Sequence, residues 1–187
     1  MRIVGGKHRG RKLLAPEGSV VRPTSERARE ALFDILAHGR LSDGPAYADA
    51  QVLDAFAGTG AFGLEALSRG ARRVTFMEKD RSVRALLQEN ITALGETQQA
   101  AILAADATKP PRASGPCTLA VLDPPYREDL AAPALAGLAK NGWLAENALV
   151  IIELATREDL TPPEGFTPIE ERRYGAAKFV FLRYHSL

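Results

Sequence analysis

From position 51 onward, short apolar runs alternate with longer stretches whose apolar residues recur at helical spacing. The runs are Val52 to Phe56, Val74 to Met77, Ala101 to Ala104, Leu119 to Leu122 and Leu149 to Ile152. Between them, Ala61 to Arg69, Arg81 to Leu94 and Asp129 to Lys140 have the length and spacing of helices. Gly70, Gly95 and Gly142 follow their ends, where a left-handed residue closes a helix. Strands alternating with helices predict an α/β chain with a Rossmann-like doubly wound sheet whose central strands are parallel. The tail breaks the alternation. Phe166 to Tyr174 and Lys178 to Tyr184 flank Gly175-Ala176-Ala177, too short for a helix, and so predict a C-terminal antiparallel hairpin on the sheet.

Ahead of this body, Arg2-Ile3-Val4 and Arg11-Lys12-Leu13-Leu14 enclose Gly5-Gly6-Lys7-His8-Arg9-Gly10, which predicts an N-terminal basic β-hairpin. Pro23-Thr24-Ser25-Glu26 then offers capping residues and an acid for a first helical turn. Ala28, Leu32, Ile35 and Leu36 continue that helix toward Gly39. The chain therefore divides into an appendage, residues 1–22, and a body, residues 23–187.

Charge sharpens that division. Residues 1–22 hold six Arg and Lys against one acid, Glu17, for +5, while the rest holds 18 against 22, for −4, giving the net +1. A basic arm on a mildly acidic body is the distribution expected when the appendage meets a polyanion, although a solvated tail has the same composition. At 187 residues the chain can bury a core without staples, and Cys117, the single cysteine, cannot pair or build a zinc site with three scattered histidines. No apolar run approaches the roughly 20 residues of a membrane helix, and charges stand where a signal peptide needs an apolar segment. The expectation is a cytoplasmic protein with no membrane association and no metal; oligomeric state is not legible.

Gly58-Thr59-Gly60-Ala61-Phe62-Gly63 matches G-x-G-x-x-G between a strand and a helix, and Glu78 ends the next strand 20 residues on. By itself this pattern fits any ligand with an adenosine and a ribose diol, whose hydroxyls Glu78 would hold. Asp54 discriminates. A pyrophosphate at the helix N-terminus is repelled by a carboxylate a few ångströms away, whereas S-adenosyl-L-methionine has no phosphate and carries an ammonium and a sulfonium. Asp54 as a loop cap is the structural alternative. Asp106, beyond the third strand, lies where an adenine amino group would reach, and equally suits a turn before Pro110-Pro111.

The fourth strand runs directly into Asp123-Pro124-Pro125-Tyr126. Two prolines fix the backbone and remove two amide donors, leaving a corner rich in acceptors. An exocyclic amino group on a base is a weak nucleophile with two hydrogens to donate. The Asp123 carboxylate and the Pro124 carbonyl can take one each, aligning the nitrogen and stabilising the charge that develops on it. Tyr126 would stack on the base, which must be unpaired or flipped out. A rigid strand-to-helix turn is the alternative role for this motif.

With Asp54-Ala55-Phe56-Ala57-Gly58-Thr59-Gly60, Glu78 and Asp123-Pro124-Pro125-Tyr126 in order, the chain resembles the amino-methyltransferases of the Rossmann-like class. Met1-Arg2-Ile3-Val4-Gly5-Gly6, Arg9-Gly10-Arg11, Arg22-Pro23-Thr24-Ser25-Glu26-Arg27 and Arg29-Glu30-Ala31-Leu32-Phe33 narrow this to a resemblance to RsmD, the bacterial 16S ribosomal RNA guanine-N2 methyltransferase family. The resemblance implies the sheet of S-adenosylmethionine-dependent methyltransferases, seven strands with the last reversed. It places the cofactor at Thr24, Asp54, Phe56, Gly58, Gly60, Glu78 and Asp106, and catalysis at Asp123, Pro124 and Tyr126. It implies guanine 966 of 16S rRNA, in an assembled or assembling small ribosomal subunit, as the substrate. Arg2, Lys7, Arg9, Arg11 and Lys12 are then the candidate RNA contacts. Three alternatives remain open on the residues alone: an adenine-N6 DNA methyltransferase, which would need more recognition surface than the arm provides; an NAD-dependent oxidoreductase, disfavoured by Asp54; and a silent RNA-binding module, which leaves Asp123 to Tyr126 without a role.

Overall fold

The computed structural model describes residues 1–16, 23–38, 41, 44–126 and 128–186, with backbone alone at 23–25. Among the described residues, seven strands form one sheet: β1 (Gln51–Ala55), β2 (Arg73–Met77), β3 (Ala100–Leu103), β4 (Cys117–Leu122), β5 (Leu144–Ala155), β6 (Phe166–Tyr174) and β7 (Ala177–Tyr184). Their order is β3-β2-β1-β4-β5-β7-β6. Strands β1 to β5 pair in parallel, and β7 runs antiparallel to both neighbours, β5 and β6. The order reverses between β1 and β4, so the loops leaving these strands diverge and open a crevice at their C-terminal ends.

Helices cover both faces. On one lie α1 (Pro23–His38), α2 (Ala61–Ser68) and α3 (Arg81–Leu94), whose Leu32, Phe33, Leu64, Leu67, Leu87 and Ile91 join Val52, Val74, Phe76, Val121 and Ile151 of the sheet in one apolar cluster. On the other, α4 (Ala131–Lys140) and Trp143 pack on Leu53, Ala120, Leu122, Val150 and Ile152. Alternation along each strand feeds the two clusters in turn, as period-two side-chain direction requires.

The elements differ from the sequence pattern where polar residues hide it or backbone geometry overrides it. Strand β5 starts at Leu144 rather than Leu149, because its first part carries Glu146 and Asn147 and pairs across a register shift between Cys117 and Leu119. Helix α4 starts at Ala131 rather than Asp129, since Asp129 takes φ +50°, outside the right-handed helix. Gly95 closes α3 in the left-handed conformation, and Asp80 caps its start by accepting from the Ser82 and Val83 amides.

The N-terminal segment follows a hairpin path with less pairing than two strands would have. Residues Gly6–His8 form a 3-10 turn, and one isolated antiparallel bridge joins Arg2 and Lys12. What holds this arm is side-chain docking. Glu65 of α2, fully buried, accepts from the Val4 and Gly5 amides at 2.8 Å each. It also faces Arg69 at 2.8 Å and the buried Arg29 of α1 at 3.6 Å. Ser68 accepts from the His8 amide and donates to the Gly5 carbonyl. Ile3 and Leu13 enter the apolar cluster beneath. A Cβ on Gly6, which sits at φ +72°, would lie 1.9 Å from the Ser68 carbonyl oxygen, so glycine is what permits this approach.

Candidate active site and cofactor cleft

Four acids stand at the C-terminal ends of the four strands around the crevice: Asp54 in β1, Glu78 just after β2, Asp123 just after β4 and Glu153 in β5. Register puts three of them in a row on one face. Asp54 pairs with Val121, and Val121 with Ile151, all facing α1 to α3; Asp123 and Glu153 lie two residues further on and face the same way.

The glycine loop follows β1 at a tight turn. Phe56 adopts φ +60°, a conformation a bulky residue holds only when its surroundings enforce it, and Gly58 and Gly60 take φ +54° and +85°. No atom lies within 4 Å of a Cβ built on Gly58, so its left-handed backbone rather than crowding calls for glycine there. Gly60 and Gly63 have the opposite reason: a Cβ would meet Leu87 Cδ1 at 2.4 Å and Phe76 Cε1 at 2.3 Å, so these two let α2 settle on β2 and α3. Asn90 of α3 secures the loop from behind, donating to the carbonyls of Thr59 and Leu14 at 3.1 Å while accepting from the Leu14 amide at 2.7 Å.

Asp54 is buried and accepts from the Gly63 amide at 2.8 Å, so the loop-capping role weighed from sequence is present. That bond does not satisfy the charge. Burial raises its carboxyl to about 7, the Gly63 amide opposing and the charge of Glu78 adding to the rise. Glu78 accepts from the Gly58 amide at 3.0 Å and the Asp80 amide at 2.8 Å, which aims it along the loop. Asp106 accepts from the Thr108 hydroxyl and amide, and these bonds hold its carboxyl below the ordinary range. A cleft of about 130 Å³ brings Phe56, Glu78, Lys79, Asp106, Asp123 and Pro125 together. This donor set fits a nucleoside with a cationic tail, with diol acceptors at Glu78, an acceptor at Asp106 and an undercompensated acid at Asp54. It does not fit a pyrophosphate, which would meet three carboxylates.

The Asp123 carboxyl is pushed well up, first by burial and then by the charges of Glu153 and Asp54. Glu153 is raised by burial, against a hydrogen bond from Tyr126 and the charge of Arg29. The Tyr126 hydroxyl donates to Glu153 Oε1 at 2.9 Å, and the residue is 39% exposed. Pro124 is buried. Phe56, Glu78, Asp106 and Asp123 therefore line one cleft, with Gly58 tied to it through its amide on Glu78 and Tyr126 through its hydroxyl on Glu153; Asp54 is buried, Gly60 packs against Leu87, Pro124 borders a separate cavity with Pro125 and Leu154, and the Thr24 side chain lies outside the described residues.

The arm's basic residues divide into two groups. Lys7 contacts Glu96 at 2.7 Å together with His8, Arg2 contacts Glu26 at 3.0 Å, and Arg11 donates to the Ala93 carbonyl at 2.7 Å. Arg9 and Lys12 are exposed, and Arg9 borders a cavity of about 470 Å³ between the arm and α1 that Arg27, Glu26 and Glu30 also line.

Sequence reasoning missed Glu153, Asn90 and the Arg29–Glu65 pair. Glu153 had a signal, since an acid follows the apolar run Leu149 to Ile152 just as Glu78 and Asp123 follow theirs. Asn90 and Glu65 had none, because polar positions inside helices look like solvent faces until the arm is docked on them.

A family model described as "Conserved hypothetical protein 95" matches residues 1–183. The chain is 36% identical over 183 residues to a Haemophilus influenzae protein named Ribosomal RNA small subunit methyltransferase D, covering 96% of this chain and 91% of that one. It is 39% identical over 181 residues to the Escherichia coli K12 protein of the same name, covering 96% and 87%. Among solved structures, a putative methyltransferase yhhF from Escherichia coli superposes with TM-score 0.84 at 37% identity, covering 100% of this chain and 99% of that one. With the family pattern running almost end to end and the sheet, glycine loop and strand-end acids in place, the chain belongs to the RsmD family of methyltransferases.

Proposed function

We propose that the protein transfers a methyl group from S-adenosyl-L-methionine to the exocyclic N2 of a guanine in 16S ribosomal RNA, guanine 966 of the small ribosomal subunit. The observation that carries this reading is the adjacency of Asp54 and Asp123 on neighbouring strands of one face, one suited to a cationic cofactor and the other to an amino group. The names of the relatives support ribosomal RNA as the substrate. Bound in the crevice, the cofactor supplies an electrophilic methyl on a positively charged sulfur. Glu78 and Asp106 would hold its nucleoside and Asp54 its cationic end, while Phe56, Gly58 and Gly60 would shape the loop around it and Thr24 would belong to the segment that covers it. Asp123 and the Pro124 carbonyl accept the two amino hydrogens of the guanine, orienting the nitrogen lone pair at the methyl carbon. The Asp123 carboxylate would stabilise the positive charge that the amino nitrogen gains on taking the methyl group. The nitrogen then releases a proton, and a carboxyl held above its ordinary range is suited to accept it. Residues 1–22 form the RNA-binding arm and residues 23–187 the catalytic body, acting in the cytoplasm.

Calorimetric titration and a methyl-transfer assay on small subunits test this together. S-adenosylmethionine or its demethylated product should bind without RNA, NAD should show no saturable binding, and Asp123→Ala should bind cofactor but transfer little. Tight NAD binding, or an Asp123→Ala variant turning over like wild type, would refute the assignment.

A further inference from the structure

Guanine presents three donors along one edge, the two hydrogens of N2 and the N1–H beside them. Asp123 and the Pro124 carbonyl account for two. Glu153 occupies the adjoining position. It follows Ile152, which pairs with Leu122, as Asp123 follows Leu122, so the two carboxylates leave neighbouring parallel strands side by side on the same face. Strands in a sheet lie about 4.8 Å apart, within reach of adjacent groups on one planar base.

We propose that Glu153 makes this site read guanine, by accepting the N1–H of the base whose N2 is held at Asp123. The proposal rests on the guanine-N2 reading above and adds to it the group that excludes other amino-bearing bases. Adenine carries an amino group beside an N1 that is an acceptor, so its lone pair would face the Glu153 carboxylate with no hydrogen between them. A site built to receive a donor rejects an analogue lacking it, because a buried acceptor is then left unpaired against a second acceptor.

The surroundings fit an acid kept for its contacts. Every residue from Ala148 to Ile152 is buried and apolar, and Phe179, paired with Glu153 across β7, is apolar too. Burial at the end of that run pushes the Glu153 carboxyl up, and burial together with the charge of Glu153 pushes Asp123 up, so the pair costs folding stability. Arg29, the cation among the charges that shift Glu153, is shared with Glu65 and Glu26. One Glu153 oxygen takes the Tyr126 hydroxyl, which leaves a competing role: Glu153 could act only by steadying the ring that stacks on the base. The two roles separate on variants of Tyr126.

Small subunits reconstituted with RNA carrying either guanine or 2-aminopurine at the target nucleotide provide the test, since 2-aminopurine keeps the N2 amino group and replaces N1–H with a lone pair. Wild type should favour guanine in kcat/KM on the order of ten- to a hundredfold, the range a hydrogen bond to a charged group spans. E153Q should lose guanine turnover by a similar factor and bring the ratio of the two substrates close to one, because its amide can turn an N–H toward the 2-aminopurine lone pair. Cofactor affinity should stay at the wild-type value, which also reports an intact fold. Tyr126→Phe should lower both substrates alike and keep the wild-type ratio. Three results would each overturn the proposal: equal use of the two bases by wild type, an unchanged ratio in E153Q, or a ratio collapsed as far by Tyr126→Phe as by E153Q. If wild type yields no N2-methylguanine, the guanine-N2 reading itself falls; if it does and the ratio stays put in E153Q, Glu153 alone is misassigned.

Discussion

Asp54→Asn should make the ligand-free protein more stable and a worse binder, and the size of the gain should depend on pH. The Asp54 carboxyl has a folded value of about 7 against an ordinary 3.8, raised mainly by burial. The folded chain therefore holds its proton more tightly than the unfolded chain does, and stability falls as pH rises from about 4 to 7. A shift of about 3 units corresponds to roughly 4 kcal/mol, all of it lost above pH 7, and about 1.5 kcal/mol lost at pH 5. Asparagine has nearly the same shape, its carbonyl can still accept from the Gly63 amide, and it carries no charge to bury. In calorimetric unfolding, the variant should exceed wild type most at pH 8 and least at pH 5, with about 2 to 4 °C in Tm for each kcal/mol. S-adenosylhomocysteine, whose ammonium calls for the carboxylate, should raise the wild-type Tm and barely move that of the variant. Wild-type affinity should also fall about tenfold per pH unit below 7, as the proton must be displaced. Asp54→Asn that is less stable at pH 8, or a difference that does not change with pH, would show that the loop amides already stabilise the carboxylate and would refute the reasoning.

Other outcomes follow from the same contacts. Glu65→Ala should cost about 3 to 5 kcal/mol in urea unfolding, because it leaves Arg29 and the Val4 and Gly5 amides without their buried partner. Gly60→Ala should abolish cofactor binding by titration, since φ +85° and a Cβ 2.4 Å from the buried Leu87 displace the loop. In RNA affinity measured across a salt series, neutralising Arg9 and Lys12 should flatten the log-log slope by roughly 1.5, at 0.7 to 0.9 per phosphate contact. Neutralising Lys7 and Arg11, which already hold Glu96 and the Ala93 carbonyl, should change the slope less and loosen the arm instead. Tyr126→Phe should impair methyl transfer less than Tyr126→Ala, because the ring supplies the stacking.

Most of the sheet was legible because its signals are local. Apolar runs such as Val74 to Met77 and a helix with a cap at each end, Arg81–Leu94, carry their own boundaries. The glycine loop and Asp123 to Tyr126 were legible for a related reason: each is a short contiguous pattern whose residue types can be read together, although Asn90, Leu87 and Phe76 are what hold the loop in place. What the chain concealed depends on register between distant segments. Glu153 becomes a neighbour of Asp123 only when β5 pairs with β4, and Asn90 touches Thr59 only after α3 packs behind the loop. The basic arm shows the same limit from the other side. Its charges read as one exposed cluster, and although Lys7, Arg2 and Arg11 remain exposed, they also contact Glu96, Glu26 and the Ala93 carbonyl, partners that only the folded chain brings beside them.

In this reading the crevice delivers a methyl group to the amino nitrogen of a guanine. Small ribosomal subunits lacking guanine-N2 methylation, incubated with the protein and methyl-labelled S-adenosylmethionine, then digested to nucleosides and resolved by mass, test it directly. Label should appear in N2-methylguanosine at a single position of 16S rRNA and be absent with Asp123→Ala. Label in N6-methyladenosine, or no label transferred by a protein that binds the cofactor, would contradict it.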